Sequence, residues 1–273
     1  MIRLAVRCRT EHAERVLAEL LELAPGGVEE DRGDGWVEYA IYGPPGEIPE
    51  LPDLEAAAGD GLVEVSSTEI PDDWADRWRD FHEPVLIGDR LVVRPSWETG
   101  SAASAAVDVV IDPGQAFGTG AHATTSLCLE LLLELAEGGE AHGPLADLGT
   151  GSGVLAIAAA KLGWSPVTAC DSELAAVEAA ADNARANRVE LELARVNLRE
   201  HSPPAAPTVT ANLTAPLLRT VADRFAELPL TLVCSGLLAT EADQVAAALA
   251  ARGLDAVERR RRGEWMALLC RST

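Results

Sequence analysis

Aromatic side chains make up only 4 % of this 273-residue chain, and lysine occurs once, at Lys161, with arginine supplying the other basic groups. Twenty-two basic side chains against 44 acidic ones leave a formal net charge of −22. That balance argues against broad electrostatic binding to nucleic acid, so direct nucleic-acid binding is not expected; it favours a basic partner, and solubility accounts for it equally well. The five cysteines (Cys8, Cys128, Cys170, Cys234, Cys270) are scattered and form no C-x-x-C pair. Zinc and redox motifs are thereby excluded, no metal site is expected, and the thiols read as buried groups in a reducing cytoplasm. No apolar run approaches the ~20 residues of a membrane span. The opening MIRLAVRCRT carries no apolar core of a secretion signal. Hydrophobic content of 48 % is enough for one large core and a smaller satellite domain.

What is present points to an enzyme. From Ala146 to Gly163 the chain reads ADLGTGSGVLAIAAAKLG: an apolar segment closed by Asp147, glycines at Gly149, Gly151 and Gly153, then a helix-favouring run. Strand, tight turn and helix N-terminus in this order bring backbone close to a nucleotide-like ligand. A dinucleotide fold calls for G-x-G-x-x-G. The spacing here, D-x-G-x-G-x-G, instead resembles the first motif of class I methyltransferases, whose ligand S-adenosylmethionine is a sulfonium bearing an amino acid. A second strand, Val167 to Ala169, leads to Asp171, placed to accept hydrogen bonds from two ribose hydroxyls. Ser172 or Asp171 also suits the N-cap of the helix that follows.

The C-terminal region has a buried strand at Leu230 to Cys234, a helix at Glu241 to Ala251, and strands at Leu254 to Arg259 and Trp265 to Leu269 joined by the turn RRRRGE. An α/β sheet ending in a hairpin is the arrangement of the class I methyltransferase fold. The N-terminal region predicts strand Ile2 to Arg9, helix Glu11 to Leu23, a hairpin of Val28 to Glu30 and Trp36 to Tyr42 around turn residues Asp31 to Gly35, helix Leu51 to Ala58 and strand Leu62 to Thr68. The order βαββαβ is that of a ferredoxin-like α+β domain. PDDWADRWRDFH (Pro71 to His82) starts a linker helix with Trp74, Trp78 and Phe81 on one face, suited to packing between modules. The domains are therefore expected at 1–68, 69–85 (the linker helix) and 86–273.

A second glycine-rich motif, IDPGQAFGTGAHATT, spans Ile111 to Thr125. A helix from Ser126 to Ala136 is expected after it, with Thr124 or Thr125 at its N-terminus carrying a free hydroxyl. The combination of this motif with DLGTGSGVLAIAAAKLG, the ANL of Ala211 to Leu213, and the upstream DDWADRW and VVRPSWE is similar to the methyltransferase family that modifies large-subunit ribosomal protein eleven. The resemblance covers nearly the whole chain, though the N-terminal domain is matched by layout more than by residue. It implies a Rossmann-like, seven-stranded class I methyltransferase sheet ending in a hairpin. It also implies S-adenosylmethionine as cofactor, contacted at Thr125, Gly149, Asp171 and Asn212, with Asp147 and Gly151 beside the glycine turn. Phe117, Gly118 and Thr119 would line the pocket near the transferred methyl. His122 matches the family's loop histidine, for which a structural role in holding the loop is favoured over proton transfer.

Methyl transfer is an in-line displacement, so an amine lone pair must be aligned and water excluded. Asn212 is the candidate catalytic residue, positioning the amine; no general base is assigned. The implied acceptors are lysine side-chain or N-terminal amines of protein eleven, free or ribosome-bound. The alternatives are a methyltransferase for another protein or small amine, and a cofactor-binding assembly factor with little turnover. Three departures from the family pattern stand out: Glu173 and Leu174 after the ribose acid, Pro207 and Thr208 at the strand leading to Asn212, and Asn197 where many class I enzymes place an aspartate.

Overall fold

The computed structural model describes residues 2–13, 16, 17, 20, 29–33, 35–43, 62–69, 84–98, 107–112, 120 and 122–273. The chain divides into two compact units, Met1–Phe81 and His82–Thr273. In the first, strands β1 (Ile2–Arg9), β2 (Glu29–Gly33), β3 (Trp36–Gly43) and β4 (Leu62–Glu69) form one sheet in the order β2-β3-β1-β4. Every neighbouring pair is antiparallel, which is the ferredoxin-like sheet expected from the element order. Alternation puts Leu4, Val6 and Cys8 of β1 on one face, where they pack with Val37, Tyr39 and Ile41 of β3 and with the helical Val16 and Leu20. The opposite face carries charge: Glu38 accepts from Arg3 at 2.6 Å and from Arg7 at 2.7 Å.

The hairpin is tighter than expected. Asp31 to Gly33 belong to β2, and Gly33 pairs with Trp36. Gly35 sits at φ +78°, the positive region that tight hairpin turns require. Glu69 closes β4 and Val85 opens the next strand, so neither end residue of the linker helix expected over 69–85 is helical. The rest of it, with Trp74, Trp78 and Phe81, lies outside the described residues, as do the Leu51 to Ala58 helix and much of Glu11 to Leu23.

The second unit is built on a seven-stranded sheet. Its strands are β8 (Leu145–Leu148), β9 (Val167–Asp171), β10 (Glu192–Arg195), β11 (Thr208–Asn212), β12 (Thr231–Leu238), β13 (Leu254–Arg262) and β14 (Trp265–Ser272). Their order is β10-β9-β8-β11-β12-β14-β13, parallel except for β14, which runs antiparallel to both neighbours. Helix α1 (Ala123–Glu137) leads into β8, and α2 (Val154–Leu162), α3 (Leu174–Asn187), α4 (Ala215–Arg224) and α5 (Ala242–Ala250) join successive strands. Cores lie on both sides of the sheet: Leu129, Leu132, Leu145, Ile157 and Val233 belong to one, Leu148, Val209, Leu218, Leu232 and Val245 to the other. Burial on both faces explains why the central strands β8, β11 and β12 are buried at nearly every position rather than at alternate ones.

The terminal hairpin is present, with one correction. The four arginines of RRRRGE are not in the turn; Arg259 to Arg262 extend β13, and only Gly263 and Glu264 turn the chain. Alternation then sends Arg260 and Arg262 toward α1, where they pair with Glu134 and Glu130, while Arg259 pairs with Asp243 of α5. A second sheet of three short strands, β5 (Val85–Ile87), β6 (Leu91–Arg94) and β7 (Val107–Val110), completes this unit. Among the described residues no helix is long and apolar enough to cross a membrane.

Candidate functional site

The strand order reverses at β8: the chain proceeds outward to β9 and β10, then returns to β11 on the other side. The carboxyl ends of strands at such a crossover diverge and leave the crevice in which open α/β sheets bind ligands. Here those ends carry Leu148, Asp171 and Asn212, with Leu148 paired to both Cys170 and Ala211. The sequence motifs thus converge on one edge of the sheet.

The glycine turn follows β8. Gly149, Gly151 and Gly153 all have positive φ (+70°, +53° and +84°), where side chains with a Cβ are strained. Gly149 and Thr150 donate their N–H groups to the Cys170 carbonyl at 2.8 and 3.0 Å, tying the turn to β9. A Cβ at Gly149 would lie 2.3 Å from Leu213 Cδ2, and one at Gly153 would lie 3.1 Å from Ala180 Cβ. Glycine is therefore needed for the turn at all three positions, and at Gly153 also for the close approach of α3.

The two aspartates differ in their surroundings. Asp171, half-buried, accepts Gly151 N–H at 3.0 Å on one oxygen and Glu173 N–H at 3.1 Å on the other. One donor per oxygen leaves acceptor capacity for hydroxyl groups. The N-cap of α3 is Glu173, without a side-chain bond, so neither Ser172 nor Asp171 holds that position, although Asp171 does satisfy Glu173 N–H. Asp147 is enclosed: Thr150 Oγ1 donates to it at 2.7 Å and Thr210 Oγ1 at 2.6 Å. Burial pushes its carboxyl up to about 6, against the opposing pull of those hydroxyls and of Ala156 N–H at the start of α2. Asp147 thus braces the turn from below.

Across the crevice, Asn212 donates through Nδ2 to Thr125 Oγ1 at 3.3 Å. Thr125 is fully buried, so the free hydroxyl expected at a helix terminus is instead the partner of Asn212. The reason is that α1 starts earlier than its apolar pattern suggests, at Ala123. Its N-cap is His122, whose Nδ1 accepts Thr124 N–H at 3.4 Å and lies 2.8 Å from Thr124 Oγ1. The His122 ring meets Trp265 edge-to-face with centroids 4.9 Å apart, and burial holds its imidazole below the ordinary range. Phe117, Gly118 and Thr119 lie within residues 113–119, outside the described residues. The exit of that segment is anchored: Ser126 Oγ donates to Gly120 O at 2.8 Å. Asn197 begins a turn and accepts Arg199 N–H at 3.0 Å.

Three contributors escaped the sequence reading. Thr150 and Thr210, which hold Asp147, carry no motif signal. Gly236 breaks β12 at φ +84° with its Cα against Leu213, where a Cβ would fall 2.3 Å from the Leu213 carbonyl oxygen. A lone glycine in an apolar strand is a recognised sign of a bulge or close backbone approach, and β12 does shift register between Cys234 and Leu237.

A glycine turn, an aspartate with open acceptor capacity one strand over, and an amide at the crossover strand thus meet at one edge of the sheet. The profile of the Ribosomal protein L11 methyltransferase (PrmA) family matches residues 51–273. The chain belongs to the ribosomal protein L11 methyltransferase family. A relative of that name from Symbiobacterium thermophilum is 34 % identical over 270 residues, covering 92 % of this chain and 84 % of the relative. Another, from Pelotomaculum thermopropionicum, is 42 % identical over 209 residues, covering 75 % and 67 %. A crystal structure of ribosomal protein L11 methylase from Lactobacillus delbrueckii subsp. bulgaricus superposes with a TM-score of 0.61 at 27 % identity, covering 70 % of this chain and all of that one. For a member of this family, the seven-stranded sheet with its antiparallel β14 is the class I methyltransferase core.

Proposed function

We propose that this protein transfers the methyl group of S-adenosylmethionine to lysine side-chain or N-terminal amines of large-subunit ribosomal protein eleven. The observation that carries this reading is the convergence of Gly149, Asp171 and Asn212 at the sheet crossover. The bound cofactor supplies an already activated methyl on a sulfonium. The residues present fit it: the glycine turn admits close backbone approach, and Asp171 can accept from two adjacent ribose hydroxyls. Thr125 and Asn212, hydrogen-bonded to each other, orient the acceptor side of the pocket. The Asn212 amide oxygen accepts a hydrogen bond from the incoming amine and aims its lone pair. The crevice favours the neutral amine by desolvation, and solvent takes the proton before capture.

The N-terminal sheet, lacking a cluster of catalytic side chains, serves acceptor selection, and the acidic surface suits a basic ribosomal protein either free or on the ribosome. Five free buried thiols fit a reducing cytoplasm. The deciding experiment is transfer of labelled methyl from S-adenosylmethionine to purified protein eleven, with mass spectrometry of the product. Methylated amines in the parent, with a turnover loss of about 100-fold in Asn212→Ala and retained cofactor binding, support the reading. Binding without transfer to protein eleven removes that acceptor from it.

A further inference from the structure

Strand β7 pairs with β6 along one edge only. Its other edge presents the peptide groups of Asp108, Val110 and Asp112, which an exposed or buried strand cannot leave unpaired without cost. Side chains from α2 and α3 complete that edge. Lys161 Nζ donates to the Asp108 carbonyl. Asn187 works as a peptide surrogate, accepting Val110 N–H at 2.8 Å on Oδ1 and donating to Val110 O from Nδ2. Asn183 Oδ1 accepts Asp112 N–H at 3.4 Å.

Asn183 differs from the other two in reaching the glycine turn, whereas the second bond of Asn187 goes to the Asn183 carbonyl at 2.8 Å within α3. Asn183 Nδ2 donates at 2.8 Å to the carbonyl of Ser152, inside the glycine turn and next to the αL residue Gly153. One helical turn earlier on the same face, Ala180 sits against Gly153. The side chain is buried, 8 % exposed, so its amide is committed to these two bonds. Asp112 is itself tied on its other side, its carboxylate accepting Ser96 N–H at 2.7 Å.

We propose that Asn183 is a positioning residue of the methyl-transfer site. Its amide locks the glycine turn to the end of β7, so cofactor affinity depends on a side chain acting only through the Ser152 carbonyl. This rests on the methyltransferase reading above. Asn187 and Lys161 hold the same strand edge without reaching the turn, and so separate docking of the small sheet from positioning of the turn.

The test uses the full chain. Binding of S-adenosylhomocysteine is measured by titration calorimetry, with kcat, KM for S-adenosylmethionine and Tm, in the parent, Asn183→Asp, Asn183→Ala, Asn187→Ala and Lys161→Met. Asn183→Asp is nearly isosteric and keeps the acceptor for Asp112 N–H while removing the donor to Ser152. Asn183→Ala removes both without adding a buried carboxylate, and Tm shows for each that the fold is kept. Expected are a Kd and a KM for the cofactor raised about tenfold in Asn183→Asp with little change in kcat at saturation. Asn187→Ala and Lys161→Met lower Tm yet keep Kd within about twofold of the parent, a range too small to signal a lost positioning contact. Equal weakening in all variants, or an unchanged Kd in Asn183→Asp, overturns the proposal. A parent that binds no S-adenosylhomocysteine overturns the methyltransferase reading itself, and this one with it.

Discussion

The ends of β8 and β9 lie side by side and each carries an aspartate, yet the two carboxylates have opposite surroundings. Asp147 is sealed under the glycine turn with two threonine hydroxyls and a helix N–H spent on it. Asp171, one strand outward, is half-exposed and holds two backbone N–H groups while keeping acceptor capacity. The difference teaches that an acid inside a ligand motif need not face the ligand. One residue sets the shape of the turn, and its neighbour keeps its acceptor capacity open.

The largest effect should come from the sealed side. The folded-state pKa of Asp147, about 6, stands above its ordinary value of 3.8, so the native state retains the proton longer than the unfolded chain. Stability from this group is greatest at acid pH and falls as pH rises from near 4 through 6, by about 3 kcal/mol in total. Urea unfolding of the parent and Asp147→Asn at pH 4 and pH 7 should show that slope in the parent and its loss in the variant. Equal slopes would show that Asp147 is charged in the fold at little cost, and the contrast between the strand ends would disappear.

The open side should respond in binding instead. Asp171→Ala is expected to weaken S-adenosylhomocysteine by roughly 30-fold, about 2 kcal/mol, through lost charge-assisted hydrogen bonds. Its unfolding free energy should change less than its binding free energy. A smaller effect is expected from Thr210→Val, which removes one donor to Asp147 at nearly constant volume. It should cost about 1.5 kcal/mol at pH 7 and less at pH 4, where the protonated carboxyl needs that donor less. The smallest belongs to the N-cap of α1: His122→Ala should lower stability by about 1 kcal/mol in thermal unfolding, while His122→Asn, itself a good cap, recovers most of it. A turnover loss in His122→Asn well beyond its loss of stability would instead assign the imidazole a chemical role.

Much of the site could be read before any fold was known. Gly149, Asp171 and Asn212 sit at motif spacings set by strand, turn and helix lengths, and local chain geometry dictates those. The same locality explains why strand centres were well placed while ends were not. The arginines Arg259 to Arg262 look like a polar turn by composition, but acidic partners on α1 and α5, up to 132 residues away in the chain, draw them into β13. Likewise the start of α1 moved to Ala123 because a histidine, rather than a threonine, accepts the first free N–H.

The sequence by itself determined the class of chemistry, the glycine turn with its flanking acids, and the final hairpin, because each is written in contiguous residues with a fixed backbone consequence. Only the tertiary structure decided that Asp147 is enclosed while Asp171 is open, and that Thr125 answers Asn212 across 87 positions of chain. It alone decided that Gly236 must make room for Leu213 and that α3 reaches back to hold Ser152 and Asp112. Those facts depend on which strands become neighbours, and neighbours are chosen by burial of the whole sheet on both faces, a quantity no short stretch of chain contains.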